Sequence, residues 1–202
     1  MKYQFTTRDK NKIQKVIHKK YKKVAKSLEG LFKYPTGRAG LETLQYDPEL
    51  LRKLPESVIA TYCGVGNPFT LEPIKEGDVV LDVGCGAGVD TILTAMMAGP
   101  SGKVVGIDIM PEMLNKAREN LSLTDLDNVS FKQASADSLP FPNEKFDAVI
   151  SNGAFNLIPE KSAAILEVHR VLKPGRWLRM MDNVLIGELP ATPKDIIKSW
   201  AH

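Results

Sequence analysis

The sequence predicts an α/β fold built on a doubly wound, mostly parallel sheet, and three observations carry that prediction. The run Val79-Val80-Leu81-Asp82-Val83 is short and apolar, as a parallel strand covered on both faces should be. It breaks into Gly84-Cys85-Gly86-Ala87-Gly88, whose glycines permit a tight turn and a close approach of backbone N–H groups to a ligand. About twenty residues after the turn begins, Lys103-Val104-Val105-Gly106-Ile107-Asp108 is a second apolar strand ending in a carboxylate. From there on, strand-like and helix-like segments alternate, the pattern of strands joined by crossover helices.

The elements follow in order. Residues 1–70 read as an N-terminal helical segment that caps the rest. Its first helix carries Arg8, Lys10, Lys12, Lys15, Lys19, Lys20, Lys22, Lys23 and Lys26, with Asp9 the only acid among them. Ile13, Val16, Ile17, Val24 and Leu28 recur at helical spacing, so the helix is amphipathic. Such a helix can bind nucleic acid or an anionic surface. Only Tyr21 interleaves its lysines, so the favoured expectation is an apolar stripe packed on the domain with the lysines in water. Tyr34-Pro35-Thr36-Gly37 reads as a turn, about Pro48 to Ala60 as one helix, and Gly64-Val65-Gly66-Asn67-Pro68 as a turn-rich loop.

Residues 71–190 hold the sheet. After the strand at 79–83 a helix runs from about Val89 to Ala98, its positive end aimed at the glycine turn. The strand at 103–108 leads to a helix from Pro111, at its first turn, to about Leu123. Val129 to Ala134 and Phe146 to Ser151 are strands three and four. A helix from about Lys161 to Leu172 is closed by Lys173-Pro174-Gly175, and strand five is Trp177 to Met181. Residues 191–202 begin a further helix near Thr192-Pro193.

The whole chain sets bounds. Its 202 residues suit one domain, and 43% hydrophobic with 25% charged residues is ordinary for a globular protein in water. The start lacks a signal-peptide core and no run nears the ~20 apolar residues of a membrane span, so the chain is expected to be cytoplasmic. Cys63 and Cys85 form neither a disulfide framework nor a metal-binding pair, and no metal is expected. The net charge of +3 is modest but unevenly placed, with lysines crowded into the first helix.

The third glycine of a dinucleotide fingerprint would fall at Val89, so the pattern is instead Asp-x-Gly-x-Gly-x-Gly. This resembles the first motif of the class I S-adenosylmethionine-dependent methyltransferases, which have a Rossmann-like fold. The resemblance implies that Asp82 helps hold the methionine end of the cofactor. Gly84, Cys85, Gly86 and Gly88 would pass under it, and Asp108, with Ile109 and Met110 after it, would meet the ribose. Ala134-Ser135-Ala136-Asp137-Ser138-Leu139-Pro140-Phe141 resembles the family's segment after strand three. The family's adenine-binding aspartate is Ser135 here, so either that hydroxyl serves, beside Ala136, or Asp137 leans in. Asp147 to Asn152 resembles the segment beside the reacting methyl, with Asn152 at the open end of strand four.

From about Tyr34 onward the chain is similar to the arsenite methyltransferases and their relatives. The similarity rests on Gly64-Val65-Gly66-Asn67-Pro68, Ile150-Ser151-Asn152-Gly153-Ala154-Phe155-Asn156-Leu157 and Gly187-Glu188-Leu189-Pro190. That family binds trivalent arsenic through cysteines, but Val65 and Gly153 occupy two of the cysteine positions. A three-thiolate site cannot be built, and arsenite methylation as such is not expected. Tyr21, Gly66 and Asn67 would contribute to a lid over the cofactor, by resemblance. The family has seven strands, and this sequence supplies five, so the last two are expected to be missing. Relatives continue past Trp200 as Trp-x-x-Cys, so a selenocysteine codon read as a stop would explain an end at His202. A deliberately chosen end or a degenerate short gene explains it equally.

The expected activity is methyl transfer from S-adenosylmethionine to a small, soft acceptor: a thiol, selenium or a metalloid. His18 and His169 lie in predicted helices as surface or packing residues, and no obvious general base is present, which favours a soft nucleophile. A quinone-type C- or O-methyltransferase and a non-catalytic cofactor-binding module are the rivals. A nucleic-acid acceptor is not expected, since Asn156-Leu157-Ile158-Pro159 is not the Asn/Asp-Pro-Pro-Tyr/Phe motif.

Overall fold

A computed structural model describes residues 5–184 together with 186 and 187. Its framework is a five-stranded, wholly parallel sheet in the order β3-β2-β1-β4-β5, with β1 Val79–Val83, β2 Lys103–Asp108, β3 Val129–Gln133, β4 Phe146–Asn152 and β5 Leu172–Met181. β1 pairs with β2 from Val79↔Lys103 to Val83↔Ile107, and with β4 from Val80↔Ala148 to Asp82↔Ile150. The chain therefore leaves β1 to one side first and returns to its other side at β4. The crevice where the order reverses, beyond the carboxyl ends of β1 and β4, is where such sheets bind ligands.

Seven α-helices are present among the described residues, beside a 3-10 turn at Phe155–Leu157: α1 Thr7–Val24, α2 Gly37–Thr43, α3 Pro48–Leu51, α4 Glu56–Ile59, α5 Val89–Ala98, α6 Pro111–Leu121 and α7 Lys161–Val171. α1 starts at a capping box, in which Thr6 Oγ1 accepts from the Asp9 N–H and Asp9 Oδ2 accepts from the Thr6 N–H. Its Ile13 is fully buried while Lys12, Lys15, Lys19, Lys22 and Lys23 are exposed, as an apolar stripe packed on α6 requires. One apolar cluster joins Leu41, Tyr46, Leu51, Val58, Ile59 and Tyr62 of the N-terminal segment to Val89, Ile92 and Leu93 of α5. On the other face of the sheet, Leu81, Val83, Ile107 and Val149 pack with Phe146, Ala164, Val168 and Val171.

The structure corrects several expectations. The single helix read over 48–60 is two short ones, because Pro55 lacks an N–H and restricts Leu54 to extended backbone. α2 begins at Gly37, where the sequence predicts only a turn. Lys173-Pro174-Gly175 lies inside β5 rather than between helix and strand. Between the pairs Phe146↔Leu172 and Ala148↔Trp177, β5 carries three more residues than β4 and bulges outward. Pro174 cannot donate to the ladder, and Gly175 takes φ +72°. The link from β3 to β4 holds no helix. The helix expected over 191–202 lies outside the described residues, as does Glu188-Leu189-Pro190.

Candidate active site

The residues singled out at the strand ends surround one cavity of about 520 Å³. Its floor is the glycine turn. Gly84 has φ +75°, and a Cβ there would lie 2.3 Å from the Ala154 Cβ, so only glycine lets the turn pass beneath that residue. The Gly84 and Cys85 N–H groups both donate to the Ile107 carbonyl, at 2.8 and 2.9 Å, tying the turn to the end of β2. Asp108 closes the corner: its carboxylate accepts from the Gly86 N–H at 3.0 Å and the Met110 N–H at 2.8 Å. Burial nonetheless holds the Asp108 pKa above the ordinary range.

Asp82, on β1, accepts from the Thr91 hydroxyl at 2.6 Å. It is 2% exposed, and burial, then the neighbouring charge of Asp90, push its pKa up to about 8. Asp90, in the first turn of α5, accepts from the Tyr46 hydroxyl at 2.8 Å and from Asn152 Nδ2 at 2.9 Å. Burial raises its pKa to about 6 against the pull of those two donors. None of these three carboxylates has a cationic side chain as an ion-pair partner among the described residues. Carboxylates that are buried, as Asp82 and Asp90 are, and lack a counter-charge favour a cationic ligand.

Asn152 binds together the β4 end and the 64–66 loop. Its Oδ1 accepts from the Val65 and Gly66 N–H groups at 2.8 and 3.1 Å, and its Nδ2 donates to the Gly66 carbonyl at 2.7 Å. That carbonyl also accepts from the Tyr46 and Tyr62 hydroxyls at 3.0 and 2.9 Å. Beyond Asn152 the wall is apolar: Gly153, Ala154, Leu157, Ile158 and Pro159. α1 forms the opposite wall with Gln14, Ile17, His18 and Tyr21, held at one end by Lys10–Glu160 and at the other by His18 and Lys22, each 3.9 Å from Glu112.

Of the residues read from sequence, Asp82, Gly84, Cys85, Gly86, Asp108, Ile109, Met110, Ser135, Ala136, Asn152 and Tyr21 all line this cavity. Ser135 and Asp137 both reach it. Gly88 does not; it caps α5 at φ +80° and lets the Phe131 ring pass. Gly66 and Asn67 also stand outside the lining. Gly66 packs against Met181, and Asn67 is a buried loop brace whose Nδ2 donates to the Leu44 and Gln45 carbonyls. Asp147 is at the far end of β4, paired with Lys173 and Arg176. His169 is exposed on α7, but His18 borders the cavity.

Tyr46, Tyr62 and Asp90 escape the sequence because the contacts that join them to one another and to Asn152 span 16–106 residues and no local pattern marks them. Cys63 lines the cavity too, its thiol pushed up to about 12 by burial, so it is neither a ready nucleophile nor a ready metal ligand. A Cβ at Gly153 would lie 3.5 Å from Val65 Cγ1, so these two positions face each other.

A family model described as "Methyltransferase domain" matches residues 74–202. The chain belongs to this methyltransferase family. It is 38% identical over 155 residues to an arsenite methyltransferase of Halobacterium salinarum, covering 77% of this chain and 39% of that protein. It is 38% identical over 110 residues to a demethylmenaquinone methyltransferase of Listeria monocytogenes, covering 54% of this chain and 46% of that one. Among solved structures it is similar to an arsenic (III) S-adenosylmethionine methyltransferase from Chlamydomonas reinhardtii, with TM-score 0.56 and 31% identity over 74% of this chain and 50% of that one. A SAM-dependent methyltransferase from Aquifex aeolicus gives TM-score 0.55 and 26% identity, covering 81% and 86%. The chain spans less than half the length of the curated relatives just named.

Proposed function

We propose that the chain binds S-adenosylmethionine in the glycine-turn cavity and passes its methyl group to a small, soft acceptor such as a thiol, a selenium compound or a metalloid. The observation that supports this most is the pairing of two unlike walls. One carries two buried carboxylates, Asp82 and Asp90, and the half-buried Asp108, none with a cationic partner among the described residues, beside backbone that glycine keeps open. The other, formed by Gly153, Ala154, Leu157, Ile158 and Pro159, is apolar and offers no charged side chain.

The residues fit the cofactor. Asp108 stands where ribose hydroxyls can donate to it, Ser135 and Asp137 where an adenine amine can be met, and Asp82 and Asp90 where cationic groups are favoured. When bound, S-adenosylmethionine supplies an electrophilic sulfonium methyl. The protein's part is to hold the acceptor in line with that methyl and exclude water. Asn152 fixes the junction of the two walls, and α1, with Tyr21 toward the cavity, screens it from solvent. A soft nucleophile attacks with its own lone pair, and the carbon–sulfur pair stays on the departing sulfur, so no strong base is needed.

His18 supports a second reading. It is an imidazole bordering the cavity 3.9 Å from Glu112, which a carbon or hydroxyl acceptor of the quinol type could use as a base. Methyl transfer from labelled S-adenosylmethionine to thiols, selenols and trivalent arsenicals, set against quinols, separates the two. The first reading predicts soft acceptors and a rate that His18→Gln lowers less than threefold. Labelled quinols, with the rate falling a hundredfold or more in His18→Gln, a general-base loss, would overturn it.

A further inference from the structure

Asp90 has no part in the sequence reading, yet it stands at the junction of the two walls. Its carboxylate is 8% exposed and lines the cavity. One oxygen accepts from Tyr46, and the other accepts from Asn152, the residue immediately before the apolar acceptor wall. A methyl group in transfer must sit between donor and acceptor, so the sulfur that carries it belongs at this junction. The glycine turn leads into α5 two residues before Asp90, Gly153 follows Asn152, and the two sides meet where a Cβ at Gly84 would lie 2.3 Å from the Ala154 Cβ.

We propose that Asp90 reads the positive charge on the donor's sulfur and so discriminates S-adenosylmethionine from the neutral thioether left after transfer. The proposal rests on S-adenosylmethionine as the donor. The groups around Asp90 suit the task. Tyr46, Tyr62 and Asn152 supply four polar hydrogens, shared among the two Asp90 oxygens, the Gly66 carbonyl and the Tyr46 oxygen. They hold the carboxylate in place without neutralising it. Asp82, on β1, adds a like charge, and Asp108, on β2, lies farther round the cavity. The Cys63 thiol faces Asp90, with the Lys20 ammonium beyond it, and Tyr21 and His18 of α1 line the same cavity.

When the methyl leaves, the sulfur loses its charge and the attraction is lost with it. The product is then held less tightly than the donor. A second consequence follows for protons. Burial favours protonation of Asp90 in the free chain, and burial together with the neighbouring Asp90 charge favours protonation of Asp82. A bound cation reverses this, so binding of the charged ligand releases protons, and its affinity rises with pH between 5 and 8.

The test is calorimetric binding of three probes by the full chain: S-adenosylmethionine, S-adenosylhomocysteine, and sinefungin, which carries an ammonium in place of the sulfonium. Both charged probes should bind at least about tenfold tighter than S-adenosylhomocysteine, from Coulomb attraction at an effective dielectric near 20. They should release protons on binding, read as a dependence of the heat on buffer ionisation enthalpy. Asp90→Asn should bring all three within about threefold of one another, with S-adenosylhomocysteine little changed. Equal losses for charged and neutral probes in Asp90→Asn, or an unchanged preference, would overturn the proposal. If Asp90→Asn fails to fold, the unmodified chain decides: proton release with the charged probes alone supports it, and equal release with S-adenosylhomocysteine overturns it. Failure of the unmodified chain to bind any probe would overturn the cofactor reading, and this proposal with it.

Discussion

Replacing Gly84 by alanine attacks the site through two separable effects. At φ +75° a side chain costs about 1–2 kcal/mol, from the crowding of Cβ in left-handed backbone. The new Cβ would also lie 2.3 Å from the Ala154 Cβ, against an ordinary carbon separation of about 3.5–4.0 Å. The turn and the 153–155 segment must therefore part by more than about 1 Å, at an overpacking cost of about 1–3 kcal/mol. Gly84→Ala should destabilise the chain by about 2–5 kcal/mol, a large part of the roughly 5–15 kcal/mol that holds a domain. The steric part is recoverable: Ala154→Gly removes the clashing methyl, while the backbone part stays. Urea unfolding of both single variants and the double should give a favourable coupling of about 1–3 kcal/mol. Additivity within about 0.5 kcal/mol would refute the close packing of the glycine turn under Ala154.

Other variants test other features. Asp82 has a folded pKa of about 8, above the ~3.9 of an unfolded aspartate. The stability it contributes is therefore present below about pH 4 and lost as pH rises through about 8. Asp82→Asn should melt higher than the unmodified chain at pH 9, with the gap closing by pH 5; a gap independent of pH would contradict this. Val65 and Gly153 face each other, so Val65→Cys with Gly153→Cys should create a dithiol that captures phenylarsine oxide, where the unmodified chain does not. Gly153 has φ +73°, so the cysteine there should also cost about 1–2 kcal/mol in urea unfolding. Failure of the double variant to bind the arsenical would show that the two positions are not within reach of each other.

Much of the fold was legible because its signals are local. Val79–Val83 and Lys103–Asp108 fall where their apolar runs put them, since a strand buried on both faces needs little beyond its own residues to be seen. The glycine turn and Asp108 were readable for the same reason. Pro55 is a local signal that divides 48–60, and Lys173-Pro174-Gly175 is ambiguous, since proline and glycine mark a bulge as readily as a helix end. The network on the Gly66 carbonyl was not legible. Tyr46, Tyr62, Asp90 and Asn152 come from four separate segments, and only the packed N-terminal helices bring the tyrosines to β4. Gly66 and Asn67 show the converse. Their motif is easily noticed, but its residues serve the loop's own backbone rather than the cavity.

Under the proposed function, this cavity delivers a sulfonium methyl to a soft nucleophile. The most direct measurement incubates the chain with methyl-labelled S-adenosylmethionine and an equimolar mixture of a thiol, a selenol, a trivalent arsenical and a quinol, and identifies the labelled product by mass spectrometry. Label on sulfur, selenium or arsenic, abolished in a control that loses the cofactor wall through Asp108→Ala, is the predicted result. Label on quinol carbon or oxygen alone, or tight cofactor binding with no transfer to any acceptor, would contradict it.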